Sequence, residues 1–196
     1  IEAPGARYER TKKSFWAMPG PFGSHNWHPM AFSPKTGLTY IPVQDVPLDY
    51  NYTPDFKYSA QRGTWNTGIE ATTFAGPSSE SHRRLLAMQT RGALVAWDAA
   101  RQKEAWRVQH GNLASAGVLA TGGNLVFQGT PDGRLVAYTA DTGRQVWSWQ
   151  GFDGIIAGAM TYAVGGEQYV AVVAGFGGSN ALHAPFSVAP KVGLHG

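Results

Sequence analysis

Asn26 and Trp27 are the residues of this chain best suited to hold a ligand. They stand together just ahead of an apolar run at Met30-Ala31-Phe32, at the mouth of a hairpin. A side-chain amide there can give or take a hydrogen bond with a ligand oxygen, and an indole offers a broad flat wall. An Asn-Trp pair before a strand is also what a plain turn looks like, so the pair alone leaves both readings open. His25 and His28 lie three apart, but Pro29 and the strand context do not suit a two-histidine chelate. Asp45, Asp49 and Asp55 lack the 12-residue calcium-loop spacing and read as a solvated loop. There is no Cys, which excludes disulfides, zinc-thiolate sites and a covalently attached c-type haem within these residues.

The elements that must position these groups repeat. Gly92-Ala93-Leu94-Val95-Ala96-Trp97-Asp98 runs on to Trp106, and Gly133-Arg134-Leu135-Val136-Ala137-Tyr138-Thr139 runs on to Trp147. The pairs 92/133, 96/137 and 106/147 are each 41 residues apart, and Gly158 follows Gly117 by the same step. A period of about 40 with several short strands per unit is the signature of a β-propeller blade.

Strand and turn signals fill in the units. Met30–Phe32 and Leu38–Ile41 flank Ser33-Pro34-Lys35-Thr36-Gly37 as a hairpin. Leu85–Met88, Leu94–Trp97 and Ala105–Val108 are further strand candidates. Val118–Ala120 and Leu125–Phe127 flank Gly122-Gly123, and Leu135–Tyr138 and Gln145–Trp149 flank Asp141-Thr142-Gly143. Ala159–Tyr162 and Tyr169–Val173 flank Gly165-Gly166. Residues 1–25 read as an extended lead-in, and residues 44–84 lose periodicity and read as an insertion. The fold class is therefore all-β, a partial propeller of four-stranded antiparallel blades. It holds one blade with an insertion, one clean blade and half a blade, about two and a half in all. Such a partial ring has open edges, so other blades, in the same or another chain, must complete it. The chain does not begin with Met, which points to a processed product or a piece of a larger protein.

Composition agrees. Apolar residues make up 43 % and charged residues only 15 %, with 25 Gly and 12 Pro, which suits a turn-rich β protein. The net charge of +3 is scattered, so nucleic acid is a poor partner. No apolar stretch reaches the roughly 20 residues that span a bilayer as a helix.

Several segments resemble one family. Ala137-Tyr138-Thr139-Ala140-Asp141-Thr142-Gly143-Arg144-Gln145-Val146-Trp147 resembles the tryptophan-docking motif A-x-D-x-x-T-G-x-x-x-W of quinoprotein dehydrogenases, with Thr139 for the usual Asp. The first copy keeps Asp98 but has Gln102 where Gly is usual. Gly23-Ser24-His25-Asn26-Trp27-His28-Pro29-Met30-Ala31-Phe32-Ser33-Pro34-Lys35-Thr36-Gly37-Leu38 resembles the G-x-x-N-W-x-P-M-x-F-x-P-x-T-G-L segment of alcohol dehydrogenases that depend on pyrroloquinoline quinone (PQQ). Gly117–Thr121 with Asn124–Gly129 is similar to the family's penultimate-blade hairpin. Gln168–Ala171 and Ala174–Gly178 are similar to its final segment, with Phe176 for the usual Trp. Ala114-Ser115-Ala116 departs from the family, which has a large polar or aromatic residue before Gly117.

The resemblance covers most of residues 20–180 and implies the carboxyl-terminal segment, residues 1–196, of an eight-bladed propeller. It implies that Asn26 hydrogen-bonds an oxygen of PQQ, that Trp27 shapes the pocket, and that Gly175 and Phe176 contact the quinone's edge from the last blade. The implied activity is oxidation of a small alcohol by hydride transfer to PQQ, with calcium as Lewis acid and a carboxylate as base. The family's catalytic aspartate, calcium ligands and vicinal disulfide lie in earlier blades, so none is carried onto this sequence and the isolated chain is expected to be inactive. A cytochrome c electron acceptor and a periplasmic location follow from the same resemblance. The alternative is a non-catalytic propeller module that acts by protein interaction.

Overall fold

The computed structural model describes residues 2–61, 66–69, 88–111 and 116–175. In chain order these form a one-turn helix α1 (Tyr8–Thr11) and strands β1 (Phe15–Ala17), β2 (Ala31–Ser33), β3 (Leu38–Asp45), β4 (Leu48–Tyr50), β5 (Arg91–Asp98) and β6 (Lys103–His110). There follow β7 (Val118–Ala120), β8 (Leu125–Gly129), β9 (Arg134–Thr139), β10 (Gln145–Gln150), β11 (Met160–Val164) and β12 (Glu167–Ala171). One four-stranded sheet runs β2-β3-β5-β6 and a second runs β7-β8-β9-β10, both antiparallel; β11 and β12 pair by themselves. That is one blade with a long excursion, one uninterrupted blade and half a blade.

The turns follow from residue chemistry. Gly165 and Gly166 both take positive φ, 60° and 86°, as a two-residue hairpin between β11 and β12 requires. At the β7–β8 turn the positive φ falls on Asn124 (63°) rather than on the preceding glycines. Asn tolerates the left-handed region because its short side chain can bond locally.

The core lies between the first two blades. In-register pairing puts Tyr40, Ala96 and Trp106 in one row and Leu94 and Val108 in the next, on one face of the first sheet. That face packs on Val118, Val126, Val136, Tyr138 and Ala140. The Ala140 carbonyl joins the blades by accepting from both Tyr40 Oη at 2.9 Å and Trp106 Nε1 at 3.1 Å. Thr36 Oγ1 stands 2.7 Å from Tyr40 Oη and completes its hydrogen bonding. Trp106 also lies flat over Gly143, where a Cβ would come within 2.5 Å of the indole.

Trp147, the repeat partner of Trp106, is placed differently. It is 47 % exposed and meets Phe127 of its own blade edge-on, centroids 6.4 Å apart. The positions one period beyond Ala140 and Gly143 are 181 and 184, outside the described residues. Equal spacing in the sequence therefore does not give equal burial within this chain.

Two expectations for the loops change. The lead-in contains α1 and β1, and β1 pairs with β4 of the excursion. Val46 and Leu48 bury against Phe22 and Tyr50, which gives this region a small core that strict periodicity does not reveal. The aperiodic stretch also starts later than Gln44, because β3 pairs with β5 all the way to Asp45. Of the Leu85–Met88 strand candidate, residues 85–87 lie outside the described residues and Met88 is exposed and not in a strand.

Gly129 has no room for a methyl group. A Cβ there would overlap both Cγ2 and the carbonyl oxygen of Ile155, which is fully buried. The oxygen is backbone and cannot rotate away. Gly129→Ala should therefore destabilise by about 1–3 kcal/mol, as overpacking does, measured as a lowered denaturant midpoint. An unchanged midpoint would show that the link from β10 to β11 yields freely.

Candidate functional site

Antiparallel pairing fixes which ends of the strands share a rim. Strands β2, β7 and β11 begin on it, while β3, β6, β8, β10 and β12 end on it. Asn26 and Trp27 lead into β2, and Gly175 follows β12, so the topology puts all three on this rim. The excursion between β3 and β5 leaves and re-enters the first sheet on the same rim.

Three chain entries crowd together there. A Cβ at Gly117 would lie 2.6 Å from Pro29 Cγ and Cδ and 2.9 Å from Gly158 Cα. Val118 N donates to Pro29 O at 2.9 Å, tying the start of the second blade to that of the first. Only residues without a side chain allow backbone to approach so closely. The 41-residue step from Gly117 to Gly158 was visible in the sequence as periodicity; that both abut Pro29 was not.

The Asn26 segment is held from one side. Gln44 N donates to Ser24 O at 2.8 Å, and His25 Nδ1 lies 2.9 Å from Pro42 O. Asn26 is exposed; its Nδ2 donates to Phe22 O at 3.1 Å, leaving the second amide hydrogen and Oδ1 for a ligand. Trp27 is 49 % exposed, with its ring 5.6 Å from that of His28, which is buried. Beside this segment, both side-chain atoms of Gln44 are buried without a hydrogen-bond partner. Leaving such a group unpaired costs about 1–3 kcal/mol, so the amide marks a place for water or a polar ligand atom. No sequence signal singled out Gln44.

Gly175 is anchored separately. Its N–H donates to Gly154 O at 2.7 Å, it bridges Ile155 in parallel, and its φ is 129°. Ile155 N in turn donates to Thr130 O at 3.0 Å. No hydrogen bond or ring contact joins Gly175 to Asn26 or Trp27 among the described residues. Phe176, Ala114 and Ser115 lie outside them. Also among the described residues, no group of three or more His, Cys, Asp or Glu is placed to hold a metal, and no helix is long and apolar enough to cross a membrane.

The half-used amide of Asn26 and the half-exposed indole of Trp27 fit one wall of a pocket for a flat, oxygen-rich molecule such as PQQ. No group of residues that could hold a cation beside it is found among the described residues.

The family model for the PQQ glucose/ethanol/alcohol dehydrogenase β-propeller domain matches residues 5–170. The quinohemoprotein alcohol dehydrogenase ADH IIB of Pseudomonas putida is 46 % identical over 179 residues, 91 % of this chain and 24 % of that protein. The 1-butanol dehydrogenase (cytochrome c) of Thauera butanivorans is 41 % identical over 82 % of this chain and 23 % of its own length. The solved structure of quinohemoprotein alcohol dehydrogenase ADHIIG from Pseudomonas putida HK5 superposes with a TM-score of 0.82 at 36 % identity, over 89 % of this chain and 25 % of that one. The chain thus spans about a quarter of the length of the relatives it matches.

Proposed function

The chain belongs to the PQQ glucose/ethanol/alcohol dehydrogenase β-propeller family, and we propose on that premise that it is the carboxyl-terminal part, residues 1–196, of a propeller that oxidises small alcohols, with Asn26 and Trp27 on the wall of its quinone site. The observation that carries this is the placement of Asn26. It lies in the segment that resembles the family's quinone-binding stretch, and its amide has donor and acceptor capacity left over.

When bound, PQQ would supply the hydride-accepting carbonyl that no amino-acid side chain offers. The chain's own residues would bind and orient. Asn26 would donate its second amide hydrogen to a quinone oxygen, Trp27 would cover a face of the ring system and exclude water, and Gly175 would leave its edge open to Phe176. The base and a calcium ion acting as Lewis acid belong, in this proposal, to blades outside this chain.

Exposed apolar side chains support the need for those blades. Trp147, Trp149, Met160, Tyr162 and Tyr169 are each at least 41 % exposed on β10, β11 and β12. Monomeric proteins seldom leave so much apolar surface open. A cytochrome c as electron acceptor is part of the same proposal, prompted by the name of the Thauera butanivorans relative. A periplasmic setting goes with it, carried by the family resemblance alone.

The test compares the 196-residue chain with the complete protein, each given PQQ and calcium, by alcohol-dependent dye reduction. We expect turnover only from the complete protein. Turnover by the isolated chain would mean that it carries its own base. A complete protein that binds PQQ and oxidises no alcohol would refute the activity.

A further inference from the structure

A cleft that includes no residue of the Asn26 segment lies between the outer part of the first blade and the second. It has a volume of about 160 Å³, and its walls include His110, Thr130, Asp132, Arg134 and Tyr138. An apolar cavity of roughly 150 Å³ accepts benzene, so this cleft has room for a ligand of about that size.

Its polar groups are unevenly used. Asp132 Oδ1 accepts from the Thr130 hydroxyl, and Oδ2 accepts from Arg134 Nε at 2.9 Å. The Asp132 backbone carbonyl accepts from Gln150 Nε2 at 2.9 Å. The acceptors of this corner are thus occupied. The two outer guanidinium nitrogens of Arg134 have no partner among the described residues. Neither has the hydroxyl of Tyr138, although Tyr138 is only 4 % exposed and lines the cleft. The ring is largely buried, and its hydroxyl at the cleft wall is available to bond a ligand atom or water.

His110 contributes no charge. Gln128 Nε2 donates to Ala116 O at 3.2 Å, so Gln128 Oε1 is the atom that faces His110 Nε2 at 2.9 Å, and Nε2 carries the hydrogen. Burial pushes the imidazole pKa down, with the nearby Arg134 adding to this; the Gln128 hydrogen bond and Asp132 act the other way. The ring is neutral at pH 7. Asp132 offsets Arg134, so the cleft has spare donors but a net charge near zero. That combination suits a singly charged acceptor and disfavours a dianion.

We propose that this inter-blade cleft binds a small monocarboxylate, held by the outer guanidinium nitrogens of Arg134 and the hydroxyl of Tyr138. The site is independent of the quinone reading, because both of its walls belong to this chain. Acetate is the probe. It is titrated into the protein with ¹³C-labelled tyrosine, and the Tyr138 ring signal is followed, with acetamide and sodium chloride at matched ionic strength as controls. We expect a saturable shift with acetate alone. Tyr138→Phe keeps the ring and its packing; followed by calorimetry, it should weaken acetate binding about tenfold or more, the usual effect of losing a hydrogen bond to a charged group. Arg134→Gln should abolish saturation. A linear response, an equal response to acetamide or chloride, or undiminished affinity in Tyr138→Phe would overturn the proposal.

Discussion

Replacing Trp106 with alanine should destabilise the protein by about 3 kcal/mol, the lower end of the range for aromatics cut to alanine, because the ring is partly buried between the blades. The same change at Trp147 in this chain should cost about 1–2 kcal/mol, as for a partly exposed contact. Trp106 packs on the core, lies against Gly143 of the next blade and donates to Ala140 O, an acceptor it shares with Tyr40. Its removal opens a cavity between blades and leaves the contact to Tyr40 alone. Trp147 touches Phe127 edge-on and remains half exposed. Urea or guanidinium midpoints of the two variants measure the difference. Equal losses would mean that Trp147 is docked as firmly as Trp106.

The second large effect concerns Asn26. In the complete protein, Asn26→Ala should weaken PQQ binding roughly ten- to a hundredfold, the equivalent of the 1.5–3 kcal/mol typical of a hydrogen bond to a charged group. Its melting temperature should change little. Asn26 is exposed, and its one side-chain bond among the described residues, to Phe22 O, is neutral and solvent-accessible. Such bonds contribute about 0.5–1.5 kcal/mol at most. Quinone titration and a separate melt divide the two roles of the amide. A lowered melting point with unchanged affinity would make Asn26 a turn residue and remove it from the site.

The blades were legible in the sequence because strand alternation and turn glycines are local signals. The matched runs from Gly92 and Gly133 became β5 and β9, and Gly165-Gly166 became the β11–β12 hairpin. The β1–β4 pair was hidden because its strands have three residues each and lie far apart in the chain. Three residues show no period, and a long-range partner leaves no local mark. The different fates of Trp106 and Trp147 were hidden for another reason. Spacing records where a side chain stands in its own repeat, whereas burial depends on what the next blade supplies.

The candidate site was legible in part. Asn26 and Trp27 stand out by type and position, and the structure puts them on the rim where the strands begin. The sequence could not show that one Asn26 amide hydrogen is spent on Phe22 O, or that Gln44 brings an unpaired amide next to this segment. The first is a local turn contact four residues apart with no sequence mark of its own, and the second depends on how the stretch from Phe22 to Asn26 folds back along β3, a contact between residues about 20 apart with no shared pattern.

The most direct test of the account is the structure of the complete protein with PQQ bound. We expect the quinone on the rim that carries Asn26 and Trp27, an Asn26 side-chain atom within hydrogen-bond distance of a quinone oxygen, and the Trp27 indole against its ring system. A quinone bound elsewhere, with Asn26 bonded only to Phe22 O and Trp27 open to solvent, would contradict the account.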